Sequence, residues 1–99
     1  MMKQIFVLAE HRKNQLRDST WEGIAAGRAL AEKLGAELTC LVLGSKVDAL
    51  AEQVARECPR VIAMDDPKLE NFNSEPFIRA LVPILEPRKP FLLIMCNSN

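Results

Sequence analysis

Ile5-Phe6-Val7-Leu8-Ala9 is a run of five apolar residues closed by the charged cluster Glu10-His11-Arg12-Lys13. It is too short to span a membrane. A short apolar run rich in β-formers and bounded by a polar loop suits a strand buried on both faces. Three similar runs follow at Leu38–Leu43, Arg60–Met64 and Phe91–Cys96, with helical patterns between them. Alternation of this kind predicts an α/β fold with a parallel sheet built around the first strand.

Outward from that strand, Glu10 to Arg17 read as a polar loop. Ser19-Thr20-Trp21-Glu22 fits a capping box, with Ser19 as N-cap and Glu22 reaching back to its N–H. Gly23, Ile24, Gly27, Leu30, Ala31 and Leu34 then fall on one helical face. The two glycines each weaken a helix by about 1 kcal/mol relative to alanine, so on a buried stripe they point to close approach of helix and sheet. Arg28 and Glu32 form an outer i,i+4 pair, and Gly35 ends the helix. A second strand covers Ala36–Leu43, and Gly44-Ser45 turns into a second helix. Its apolar positions Val47, Leu50, Ala51, Val54, Ala55 and Cys58 keep the helical period, and Pro59 stops it.

A third strand, Arg60–Met64, leads into a loop from Asp65 to Asn73. Ser74 caps a third helix with Glu75 and Pro76 in its first turn. Phe77, Ile78, Leu81, Val82 and Leu85 make the expected inner stripe, with Pro83 expected to kink the helix or end it early. Right-handed crossovers give a Rossmann-like doubly wound sheet of strand order 3-2-1-4. The first two helices cover one face and the third covers the other. In such sheets ligands sit beyond the carboxyl ends of the strands, here after Ala9 and Cys96.

The 99 residues suit one small domain, with 48% hydrophobic and 26% charged residues, as in an ordinary soluble protein. Thirteen basic residues balance thirteen acidic ones, which argues against nucleic acid or an anionic membrane surface as partner. No signal or transit segment is read at Met1-Met2-Lys3. Cys40, Cys58 and Cys96 are widely spaced without a C-x-x-C pair, so a disulfide framework or zinc site is not expected. They read as buried, reduced thiols in a reducing, cytoplasmic setting.

Four stretches are candidates for chemistry, each beside a plainer reading. Glu10-His11-Arg12 stands at the end of the central strand, where a His beside a carboxylate suits acid–base work; the plainer reading is a solvated loop or an interface. Gly44-Ser45 offers N–H groups to an anion, yet lacks the spacing of a phosphate loop. Asp65-Asp66-Pro67 suits a metal or ribose, while adjacent carboxylates before proline are more often turn and capping groups. Trp21 reads as packing or contact surface rather than a cofactor platform. Neither a nucleophile–base pair nor a metal-ligand cluster is legible, so no catalytic, cofactor-binding or metal residue is assigned.

Read together, several stretches resemble the N-terminal domain of the electron transfer flavoprotein α subunit. They are Val7-Leu8-Ala9-Glu10-His11, Leu16 with Thr20-Trp21-Glu22, and Ala29 to Glu37 leading into Leu41-Val42-Leu43-Gly44. Val47-Asp48-Ala49-Leu50-Ala51, Asp65-Asp66-Pro67 and Glu75-Pro76 complete the ordered set. The resemblance implies an adenine-nucleotide-hydrolase-like domain of a heterodimeric electron carrier, not a catalyst in its own right. It takes electrons from acyl-CoA or similar dehydrogenases to a quinone reductase or another acceptor. FAD is implied in a separate C-terminal domain and AMP in the partner β subunit, so no cofactor is expected in these 99 residues. Two departures stand out. Cys58-Pro59 replaces a glycine-bearing turn, and the family continues past the fourth strand through a further helix and two strands.

Two other classes stay open, a stand-alone nucleotide-binding module of universal-stress type and a dimerisation domain. The sheet is expected to be incomplete after its fourth strand, whose edge is apolar from Phe91 to Cys96. Unpaired backbone on such an edge is a template for another chain, so self-association through it is expected, most simply as a two-fold dimer.

Overall fold

The computed structural model describes residues 3–9, 11–12, 15–69 and 74–95, without the side chains of Arg12 and Ser74. Within them the chain forms β1 (Gln4–Leu8), β2 (His11–Arg12), β3 (Gln15–Leu16), α1 (Asp18–Leu34), β4 (Glu37–Gly44), α2 (Asp48–Ala55) and β5 (Val61–Asp65). A 3-10 turn at Pro67–Leu69, α3 (Ser74–Arg88) and β6 (Leu92–Met95) follow. The last strand was expected to reach Cys96, which lies outside the described residues.

β1, β4, β5 and β6 form one parallel sheet in the order β5-β4-β1-β6. The expected order 3-2-1-4 counted four strands. The described residues hold six, because β2 and β3 make a separate antiparallel ribbon in what read as a plain polar loop. A two-residue strand carries too little hydrophobic alternation to register in a sequence pattern.

Side-chain alternation along β1 and β4 divides the interior into two layers. Ile5, Val7, Leu38, Cys40 and Val42 pack with Ile24 and Ala31 of α1 and with Leu50 and Val54 of α2. Phe6, Leu41 and Leu43 pack on the other face with Leu69 and with Leu81 and Ile84 of α3. Ile5, Phe6 and Val7 are all 0% exposed, so this one strand serves both layers. Complete burial of each such side chain is worth roughly 1.5–3 kcal/mol.

α1 begins at Asp18, with Arg17 in the cap position and no side-chain cap bond. Ser19 is therefore inside the first turn rather than capping it, and Asp18 places a negative charge where the helix dipole favours one. Gly27 meets its expected role, since a Cβ there would lie 2.9 Å from both Leu38 Cδ1 and Val7 Cγ2. Gly35 ends α1 at φ 62°. Leu30 and Leu34, expected on the buried stripe, are exposed, whereas Thr20 is buried. The stripe that meets the sheet is centred on Thr20, Ile24, Gly27 and Ala31, and the two leucines lie on its flank. Arg28 does not pair with Glu32. Its guanidinium bonds the Glu57 carbonyl and lies 3.6 Å from the Glu57 carboxylate.

α2 buries Leu50 and Val54, flanked by buried Val47 and Cys58, while Ala55 is exposed. It ends at Ala55, before Pro59 can act. α3 differs most from expectation, continuing through Pro83 and Pro87 to Arg88. The carbonyls these prolines cannot pair belong to Arg79 and Pro83, both on the exposed face, so the missing helix bonds do not fall in the core. Its inner stripe is Phe77, Ala80, Leu81, Ile84 and Leu85, leaving Ile78 and Val82 exposed. Among the described residues no helix is long and apolar enough to cross a membrane.

The α2 face gives a direct test. Leu50→Asp or Val54→Asp is expected to unfold the chain, because a buried unpaired charge costs several kcal/mol. Glu52→Ala, on the exposed face, is expected to change stability by no more than about 0.5 kcal/mol. Thermal melts by circular dichroism check both, and equal melts would place the wrong face against the sheet.

Candidate functional site

In a parallel α/β sheet the carboxyl ends of the strands form the usual ligand edge. Here that edge gathers the ends of β1, β4 and β5, bringing His11, Gly44-Ser45 and Asp65-Asp66 together. Glu10, expected beside His11, lies outside the described residues, as does the side chain of Arg12.

His11 Nε2–H donates to the Leu43 carbonyl at 2.7 Å, a carbonyl being able only to accept. A Cβ on residue 44 would lie 2.7 Å from the His11 ring atoms Cε1 and Nε2 and 2.9 Å from Val47 Cγ1. Gly44 is therefore required by the close seat of the imidazole and of Val47. The ring fills space beside the strand end, and no carboxylate among the described residues is placed on it to make an acid–base pair.

Asp65 stands opposite Gly44 in the β4–β5 register. Its Oδ1 accepts the Lys46 N–H at 2.8 Å and its Oδ2 accepts the Val47 N–H at 3.3 Å. Val47 is the N-cap residue of α2 and has no capping side chain of its own. A carboxylate from the neighbouring strand thus satisfies the N–H of the N-cap residue and of the residue before it, and complements the helix dipole. Lys46 is held at φ 58°, a left-handed conformation that costs a non-glycine residue about 1–2 kcal/mol. The Asp65 bond to its N–H holds it there.

The two candidate readings of this edge therefore collapse into one arrangement. The chain's own anion, Asp65, stands directly beyond Gly44-Ser45 and bonds the next two N–H groups, those of Lys46 and Val47. Asp66 completes the closure: its N–H donates to the Gly44 carbonyl at 2.8 Å, and its Oδ1 accepts the Lys68 N–H at 2.9 Å across Pro67. Asp65-Asp66-Pro67 is thus a capping and turn unit. Among the described residues no group of three His, Cys, Asp or Glu side chains is placed to hold a metal ion. Trp21 is half-buried against the α1/α2 core layer and lines a surface groove with Arg28, Glu52 and Arg56.

A second cluster lies away from this edge. Cys40 and Cys58 are 0% and 1% exposed in the layer under α1 and α2, and Cys58 Sγ lies 3.9 Å from the Leu38 carbonyl of β4. Cys58 Sγ also lies 3.2 Å from the Arg60 carbonyl, the same oxygen that accepts the Cys40 N–H at 2.9 Å. The hydrogen bond from Cys40 is the main cause that brings the Cys58 thiol down to about 7, against the opposing effect of burial. The same bond and burial push Cys40 above the ordinary thiol range. Sequence reasoning read Asp65-Asp66-Pro67 as turn and capping groups but missed which helix Asp65 caps, and it missed the nearness of Cys40 and Cys58, for one reason. Each joins residues 18 positions apart, and no local signal announces a contact made by strand register.

Asp65→Ala is expected to lower stability by about 1 kcal/mol, the usual cost of losing a capping side chain. Asp65→Asn, which keeps one acceptor, should lose less. Urea denaturation of the three proteins checks the order, and no loss in the alanine variant would show that water caps α2 equally well.

The closed edge and the β5-β4-β1-β6 sheet can now be set beside known proteins. The electron transfer flavoprotein domain matches residues 5–99. The chain is 30% identical over 98 residues to electron transfer flavoprotein subunit alpha of Megasphaera elsdenii, covering 98% of this chain and 29% of that protein. It is 29% identical over 93 residues to protein FixB of Clostridium saccharobutylicum, covering 94% of this chain and 28% of that protein. It is 26% identical over 98 residues to acryloyl-CoA reductase electron transfer subunit beta of Anaerotignum propionicum, covering 98% of this chain and 27% of that protein. The chain spans less than a third of the length of these curated relatives. With the match running over almost every residue of the α/β sheet, the chain belongs to the electron transfer flavoprotein domain family.

Proposed function

We propose that these residues are the N-terminal domain of an electron transfer flavoprotein α-type subunit and act as scaffold and subunit contact rather than cofactor site. The supporting observation is that the family match extends over residues 5–99 while Asp65 already occupies the Lys46 and Val47 N–H groups that lead into α2. A phosphate arriving there would have to displace a carboxylate that is covalently tethered to the same fold. In this reading a β-type subunit is the partner, and FAD is bound by protein outside these residues. The complete cytoplasmic assembly carries electrons from acyl-CoA or similar dehydrogenases to a quinone reductase or other acceptor, without catalysing a reaction of its own.

Coexpression with an electron transfer flavoprotein β subunit, followed by affinity capture of this chain, is expected to retain the β subunit. The chain purified by itself is expected to carry no flavin absorbance. A yellow preparation with one flavin per chain would sink the scaffold reading, and a β subunit that washes through would sink the choice of partner.

The exposed edge of the sheet supports a second reading, self-association. Phe91, Leu92 and Met95 are 54%, 36% and 57% exposed, and among the described residues β6 pairs with β1 alone. Phe91 N–H donates inward to Gln4, so strand alternation turns the Leu92 and Ile94 N–H groups toward the open edge. A two-fold pairing there would protect those two amides from hydrogen exchange and raise the sedimentation coefficient at micromolar concentration. A monomer in which both amides exchange freely would remove this reading.

A further inference from the structure

We infer that Cys40 and Cys58 form a redox-responsive dithiol that small disulfides of the glutathione type close into an intramolecular disulfide. The inference does not depend on the subunit role proposed above. The two cysteines come from different elements, Cys40 from the middle of β4 and Cys58 from the turn between α2 and β5. They meet because Arg60, which bonds Cys40 through its carbonyl, lies only two residues beyond Cys58. One carbonyl oxygen thus tethers both residues, and the Cys58 sulfur, 3.9 Å from the Leu38 carbonyl, lies against the stretch of β4 that carries Cys40 into the same buried layer.

The chemistry is asymmetric. Cys58 is the better nucleophile, since the Cys40 S–H stabilises its thiolate and a thiolate is the attacking species. Cys40 keeps its proton until the first exchange has removed the Cys58 anion. The Cys58 thiolate attacks one sulfur of the small disulfide, forming a mixed disulfide and expelling one small thiolate. Cys40 then loses its proton to that thiolate and attacks the Cys58 sulfur, expelling the second small thiolate. Two protein thiols are oxidised to one disulfide, and one small disulfide is reduced to two thiols.

Entry is from the Cys58 side. Arg56, Glu57, Pro59 and Arg60 around it are exposed, and one turn of backbone bonds to Gln53 and Val54 holds residues 56–58 in place. Opening that turn uncovers Cys58 without disturbing β4. Arg28 of α1, bonded to the Glu57 carbonyl, fastens the turn from above. Closure of the disulfide ties the turn permanently to β4, fixing the end of α2 against the sheet.

The test is non-reduced peptide mapping of the intact chain after incubation with oxidised glutathione under native conditions. The expected product is a Cys40–Cys58 linked peptide pair, a mass loss of two hydrogen atoms, and full reversal by dithiothreitol. Cys40→Ser, checked for folding by circular dichroism, is expected to stop at a single glutathione adduct on Cys58. Three results would overturn the inference: both thiols still free, a stable adduct on Cys58 in the unmutated chain, or a disulfide joining either residue to Cys96. Should Cys40→Ser fail to fold, the linked peptides of the unmutated chain decide the matter alone.

Discussion

Burial of β1 between two helical layers is the constraint on which the other features of this chain rest. Ile5, Phe6 and Val7 have no exposed surface, and consecutive side chains on a strand point to opposite faces. A strand buried this way needs cover on both sides and a paired strand at each edge. β4 and β6 supply the edges. α1 and α2 supply one layer and α3 the other. The register β1 takes with β4 then sets the position of everything attached to β4, including Gly44 at its end and Cys40 in its middle.

That register explains why the β4–β5 part of the carboxyl edge is closed; the crevice expected after Ala9 and Cys96 lies outside the described residues. β4 ends at Gly44 and β5 at Asp65, opposite one another, with the start of α2 directly beyond. Free N–H groups at a helix start attract whatever anion is nearest, and the nearest is the Asp65 carboxylate. His11 packs against Gly44 from the β1 side. Beyond β4 and β5, an edge that many α/β domains give to a ligand is thus taken up by hydrogen bonds within the chain. Membership of the electron transfer flavoprotein domain family is compatible with this, since a domain can serve a flavoprotein by holding subunits in place.

The dithiol shows the same logic in the α1/α2 layer. Burial alone would leave two unreactive thiols, each a small apolar side chain. Proximity changes their chemistry, because one thiol stabilises the anion of the other. Neither cysteine has the property by itself.

The sequence by itself determined the class and the layers. Apolar runs at Ile5–Ala9 and Leu38–Leu43 suited buried strands, Val47, Leu50 and Val54 kept the period of one helix face, and Gly27 and Gly35 pointed to a close approach and a helix end. The ordered stretches from Val7 to Pro76 also carried the family. Helix faces were legible where the pattern was narrow, as in α2, and less so where extra apolar residues widened it. Leu30, Leu34, Ile78 and Val82 were assigned to the core and are exposed, because period alone does not say where a sheet stops covering a helix. The tertiary structure decided the use of the polar residues. Asp65 caps α2, His11 seats on Gly44, Arg28 reaches Glu57, and Cys40 meets Cys58. Each of these depends on strand order and register, which come from long-range pairing, and a local pattern of hydrophobic residues holds no record of which distant group will arrive beside it.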